Sequence, residues 1–237
     1  VQLGSPASHV QLRPRTKIDR TASPITLPPL QGASKQAIQE LAKSVTVIFD
    51  VDDSGSMYGQ FGDPSGIRYA AAQSLLRLQI QSGGGKAGVI HWGTDVPMDQ
   101  VVKPIDVRRE KKKLHRALRI PATLGGNDMP RSLEVAKEVL PLSRAGEVQI
   151  VFVITDGIES VTASTHRAVG DLPPGSVHLL LVDRSNYCTD ELEDQWRQVA
   201  FGSFTRLERL DDTSTLAIQL GKIYAKALGL TLTPMTP

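Results

Sequence analysis

The sequence predicts an α/β fold in which helices cover a mostly parallel β-sheet. Two observations carry that expectation. From residue 36 onward, apolar runs rich in β-branched residues alternate with segments of helical period, the pattern of strands joined by crossover helices. The most apolar run, Val148 to Ile154, lacks the polar alternation of a strand with one wet face, so it belongs at the sheet centre, covered on both sides.

The elements follow in chain order. Val45 to Phe49 reads as a central strand. Ile67 to Gln81 reads as a helix, with Ile67, Ala71, Leu75 and Leu78 on one face, and Gly83-Gly84-Gly85 ends it. Ala87 to Trp92 makes the next strand and Val101-Val102 a short edge strand. Val107 to Arg119 reads as a basic helix and Met129 to Leu140 as another. After the central run come a strand over Val177 to Val182, a helix over Glu191 to Ala200 and a last strand over Ser203 to Leu207. A closing helix over Thr213 to Ala227 begins at Asp211-Asp212-Thr213, where acidic side chains and a hydroxyl suit a helix N-terminus.

With 237 residues, 40% hydrophobic and 22% charged, the chain has the make-up of one globular domain with tails. Residues 1–33 are Pro-rich and basic and have no period that would bury a face, so they read as an extended arm or linker. The domain is expected over residues 36–228, with a tail over 229–237. A net charge of +2 is too mild to argue for nucleic acid, and no apolar run approaches the length of a membrane span. The single cysteine, Cys188, excludes an internal disulfide. With no secretory signal in view, a cytoplasmic setting is the expectation, although the sequence starts at Val1, as an excised piece would.

Three oxygen-rich segments stand at strand ends or helix starts, where an open parallel sheet collects its ligands. Asp52-Asp53-Ser54-Gly55-Ser56 follows the first strand, and its carboxylate and two hydroxyls at alternate positions can point at one spot. Gly125-Gly126-Asn127-Asp128 runs into a helix and offers an amide oxygen or a carboxylate. Thr155-Asp156-Gly157 ends the most buried strand, where a carboxylate is costly without a positive partner. Oxygen-only donors of this kind suit a hard cation such as Mg²⁺, with Mn²⁺ or Ca²⁺ as substitutes.

In this order the D-x-S-x-S turn, the Gly-Gly loop and the T-D-G strand end resemble the metal-ion-dependent adhesion site of the von Willebrand factor type A (VWA) family. The resemblance covers roughly residues 44–228. It implies a doubly wound, Rossmann-like sheet of about six strands with one short antiparallel edge strand. It also implies Asp52, Ser54 and Ser56 as ligands, with Asp156 acting through a water. The family's loop ligand is usually threonine, and Asn127 stands in the matching place, which keeps a neutral oxygen on a longer side chain. The function so implied is non-enzymatic: a bound cation grips a Glu or Asp carboxylate of a protein partner.

Two other readings compete. Asp50-Val51-Asp52 after an apolar strand also resembles the D-x-D motif of haloacid dehalogenase-like phosphatases, with Thr155 and Asp211-Asp212 as later motifs. The Ser54-Gly55-Ser56 turn and the Gly125-Gly126 loop have no role in that scheme, and no lysine lies between Thr155 and Asp211. The other reading is a VWA-like scaffold with a degenerate metal site that binds through its surface alone. The basic stretch Arg108 to Arg119 has no aromatic residue to stack on bases and reads as a solvated helix face. Gly83-Gly84-Gly85-Lys86 lacks the Ser or Thr of a phosphate loop and reads as a turn.

Overall fold

The computed structural model describes residues 22–59, 62–119, 121, 123–182, 188–207 and 212–234. Most of the expected arm (1–21), Asp211 and the last residues of the tail (235–237) lie outside them. In chain order the elements are β1 (Leu30–Gln31), α1 (Lys35–Lys43), β2 (Val45–Asp52), α2 (Ile67–Ser82), β3 (Lys86–Trp92), β4 (Val102–Asp106) and α3 (Lys111–Ala117). There follow α4 (Met129–Val139), β5 (Val148–Thr155), α5 (Ala163–Gly170), β6 (Val177–Val182), α6 (Asp190–Arg197), β7 (Ser203–Leu207), α7 (Thr213–Ala227) and β8 (Thr231–Leu232).

Six strands form one sheet in the order β4-β3-β2-β5-β6-β7, parallel except for the β3–β4 edge pair. Both predicted features, the parallel centre and the antiparallel edge, are present. Val47, Phe49 and Val51 point to the face covered by α2, α3 and α7, while Ile48 points to the face covered by α4, α5 and α6. Asp50 and Asp52 alternate with Ile48 and therefore share the α4 face. Chain order reverses between β2 and β5, so their carboxyl ends flank the switch point at which doubly wound sheets bind ligands.

Several boundaries differ from the sequence reading, each for a local reason. The basic helix begins at Lys111 rather than Val107, because the Asp106 carboxylate accepts the Arg108 and Arg109 backbone N–H groups, both at 2.9 Å, and holds them in a turn. The edge strand runs to Asp106, and α6 covers Asp190–Arg197 behind its Thr189 cap. Two helices had not been expected, α1 and α5. Helix α2 is buried almost all round rather than on one stripe, since both the sheet and α7 pack on it.

Within the described part of the arm, residues 22–31 are extended and lie on the domain. Leu27 and Leu30 are buried, and Leu30–Gln31 pairs antiparallel with Thr231–Leu232 of the tail. Among the described residues no helix is long and apolar enough to cross a membrane.

Candidate metal centre

Strand β2 delivers Asp52 to the sheet's carboxyl edge with no exposed surface. Its Oδ1 accepts the Ser54 backbone N–H at 2.7 Å, which curls the chain straight after the strand. Its Oδ2 accepts the Thr155 hydroxyl at 2.6 Å, tying the end of β2 to the end of β5. The curl brings the Ser54 and Ser56 hydroxyl oxygens to 3.0 Å from each other. Ser54 is buried, and Ser56, in a short 3₁₀ turn, is half-exposed.

The second segment docks on the first. The Gly55 N–H donates to the Gly125 carbonyl at 2.6 Å, and Leu124 N–H donates to Asp53 O at 2.8 Å. Gly55 has an ordinary right-handed φ of −60°, so its contribution is this contact rather than backbone freedom. Gly125 does need to be glycine: its φ is +90°, and a Cβ there would sit 2.7 Å from Thr94 Oγ1. Asp128, one of the two loop oxygens the sequence offered, caps α4 by accepting the Arg131 N–H at 3.0 Å. Asn127 is half-buried, and its Oδ1 is a buried oxygen with no hydrogen-bond partner.

The third segment closes the group. Asp156 is 4% exposed and its charge acts directly on Asp52. Its Oδ1 accepts the Ile158 N–H at 3.2 Å. Glu159, just beyond, accepts the Met129 N–H at 3.0 Å and so joins this loop to the start of α4. Gly157, at a φ of +70°, has Leu181 where a side chain would go.

The electrostatics separate the acids that the sequence left as a group. Burial, then the Asp156 charge, pushes Asp52 up to about 7, with the Thr155 and Ser54 hydrogen bonds working against the rise. Burial also pushes Asp50 up to about 8; the Ser132 hydroxyl on α4, 2.8 Å from its Oδ2, opposes this, and Asp52 adds to it. Asp53 behaves differently. Burial works to raise it, but the His91 hydrogen bond and the Arg68 charge together hold it below the usual carboxylate range. Arg68 Nη2 lies 2.8 Å from Asp53 Oδ1 and His91 Nδ1 2.8 Å from Oδ2. The Asp53 charge is thus met locally by Arg68.

Among the described residues, Asp52 forms no ion pair with Lys, Arg or His. Nor do three or more His, Cys, Asp or Glu side chains gather there as a metal-holding group. Any ion here would rest on hydroxyl and amide oxygens as much as on carboxylates. The chemistry of these oxygens suits a hard cation: two neighbouring serine oxygens and a buried carboxylate without a cationic partner on the Asp52 turn, and an unsatisfied amide oxygen on the loop docked against that turn. Sequence reasoning missed Thr155 as a partner of Asp52 and Ser132 as the cap on Asp50. Both are hydroxyls brought in by tertiary contact, and no local spacing signals them.

Residues 47–159 match the family model of the von Willebrand factor type A domain. No curated protein sequence matches the chain. Among solved structures, BatB from Bacteroides thetaiotaomicron is similar at 16% identity and a TM-score of 0.53, over 76% of this chain and 98% of that one. A von Willebrand factor type A protein from Catenulispora acidiphila is similar at 20% identity and a TM-score of 0.56, over 78% of this chain and 42% of that one. The pilus adhesin SpaC from Lactobacillus rhamnosus GG is similar at 15% identity and a TM-score of 0.59, over 86% of this chain but 32% of its own length. At these identities the likeness is one of fold.

Proposed function

We propose that this chain is a protein-interaction module whose sheet edge holds one divalent cation, Mg²⁺ or a substitute such as Mn²⁺, and presents it to an acidic residue of a partner. The observation that carries the reading is Asp52. It is a fully buried carboxylate beside a second buried carboxylate, it has no ion pair among the described residues, and two serine hydroxyls sit on the same turn. Burying like charges together is unfavourable unless something positive joins them. Asp52, Ser54, Ser56 and Asn127 would hold the ion, with Asp156 acting through a water. Because the serines and the asparagine are neutral, the ion keeps net positive character toward solvent. Such an ion supplies a position at which a partner's carboxylate displaces water.

The chain's own residues set the rest. Thr155 and the Ser54 N–H fix the Asp52 carboxylate, and the Gly55–Gly125 contact fixes the two loops against each other. The VWA match and the fold shared with a pilus adhesin support the interaction role. The phosphatase alternative asks Asp50 to attack substrate, yet Asp50 has no exposed surface and its Oδ2 is held by Ser132.

Thermal melting after chelation tests the proposal. Mg²⁺ at about 100 times its Kd is expected to add about 2.7 kcal/mol of stability, a rise of several degrees. The shift should vanish in Asp52→Ala and shrink in the half-exposed Ser56→Ala, whose fold is less at risk. If neither Mg²⁺ nor Mn²⁺ moves the melting curve of the unaltered chain, the degenerate-site reading takes its place.

A further inference from the structure

The sequence left two features without a role, the Gly83-Gly84-Gly85-Lys86 turn and the basic stretch from Arg108. The fold brings them together. A cleft of about 400 Å³ at the amino-terminal end of β3 is lined by Lys43, Lys86, Arg108 and Arg109, with Gly83, Gly85 and Asp106 completing its wall. The four cations come from three separate places: the end of α1, the start of β3 and the turn after β4. They therefore converge on one space, whereas a solvated helix face would spread them along its length.

The cleft is partly preorganised. Asp106, the acid in its wall, is occupied with the Arg108 and Arg109 backbone N–H groups, which sets the turn that carries both guanidinium groups. Gly84 has a φ of +118°, and a Cβ there would come 3.2 Å from Arg108 Cδ, so the missing side chain is what lets the arginine stem lie across the glycine turn. Among the described residues, Lys86, Arg108 and Arg109 have no carboxylate within ion-pair distance. Lys43 has an exposed partner in Glu40 at 2.7 Å, and exposed pairs of this kind hold weakly.

We infer that this cleft binds a small anion carrying two or more phosphate groups, either free in solution or displayed as a phosphorylated lipid headgroup. Arginine forks match phosphate oxygens in pairs, the lysines supply point charges, and the volume lies in the range of small-ligand sites. Four cations against the single Asp106 carboxylate, which already feels both arginine charges, leave the cleft net positive, and this favours a multiply charged ligand over a single phosphate. The cleft is distinct from the candidate metal centre. Lys86 opens β3 and Trp92 ends it at the opposite edge, about 20 Å away at the usual rise of a strand.

The test uses the whole chain in EDTA, so that a metal ion plays no part. Titration calorimetry with tripolyphosphate is expected to give saturable one-to-one binding, tighter than inorganic phosphate and weakened by salt. Lys86→Ala combined with Arg108→Ala should weaken it by about 10-fold or more, as loss of charge-assisted contacts implies. The exposed Lys222→Ala, away from the cleft, should leave it unchanged. A parallel arm floats the chain with phosphatidylcholine vesicles, with and without phosphatidylinositol bisphosphate. Flotation that tripolyphosphate competes away assigns the lipid source, and tripolyphosphate binding without flotation assigns the free anion. Binding to neither probe, or equal affinity in the double variant, overturns the inference.

Discussion

His178, at the start of β6, shows how a single buried side chain makes this fold sensitive to pH. Its Nδ1 lies 2.8 Å from the Ser203 hydroxyl, and Lys226 on α7 is the charge that acts on it. Burial first, then Lys226, lowers it from its ordinary 6.5 to about 4. The folded chain therefore keeps the ring neutral where the unfolded chain would protonate it. Its contribution to stability is fully present above pH 6.5 and is lost as pH falls through 4. After allowance for solvent screening, that is about 1 to 2 kcal/mol. Urea denaturation of the parent and of His178→Asn at intervals from pH 7 to 4.5 should show the parent losing stability more steeply. Parallel curves would remove His178 from the account.

Helix α2 is fastened to the end of β2 by a buried ionic group. Asp63 accepts the Ile67 and Arg68 N–H groups, each at 2.8 Å, and so caps the helix. The Arg68 side chain then bridges Asp63 and Asp53, with no exposed surface on any of the three side chains. Tyr69 on the same turn donates its hydroxyl to Asp53 at 2.6 Å. Arg68→Leu would keep the bulk but leave two carboxylates buried without their cation, a loss of about 3 to 5 kcal/mol. Chemical denaturation measures this, and a loss below about 1 kcal/mol would mean that Tyr69 and His91 suffice. None of the group was legible in the sequence, where Arg68 is one of two arginines in a largely apolar helix. Strands were legible because β-branched runs mark them directly, and the D-x-S-x-S turn was legible because its donors are local. Helix α5 was missed although Thr162 and Thr165 form a reciprocal cap, and α1 although Ser34 caps it. Short helices with one or two buried apolar residues leave little apolar period to read.

The two ends of the described chain meet on one side of the sheet, which changes what counts as the folding unit. Leu230 is buried, and Thr233 donates both its N–H, at 2.9 Å, and its hydroxyl, at 3.0 Å, to the Pro29 carbonyl. Gly221 in the middle of α7 explains the docking: a Cβ there would come 3.1 Å from Leu232 and 3.2 Å from Leu27, so the arm and the tail share the groove that glycine opens. A glycine inside a helix costs about 1 kcal/mol relative to alanine, an outlay that the buried leucines more than offset. The sequence placed the domain's limits at residues 36 and 228 because the flanking segments lack a period. Two-residue strands and single buried leucines have none to show. Deleting residues 230–237 should therefore cost about 3 to 5 kcal/mol through Leu230 and Leu232 alone. It should also raise amide exchange over residues 27–31, whose strand partner is gone; on the metal-binding proposal the Mg²⁺ shift of the melting temperature should persist, because the loops around Asp52 lie elsewhere. A truncated chain that melts with the parent and protects residues 27–31 equally would show that the arm holds without the tail.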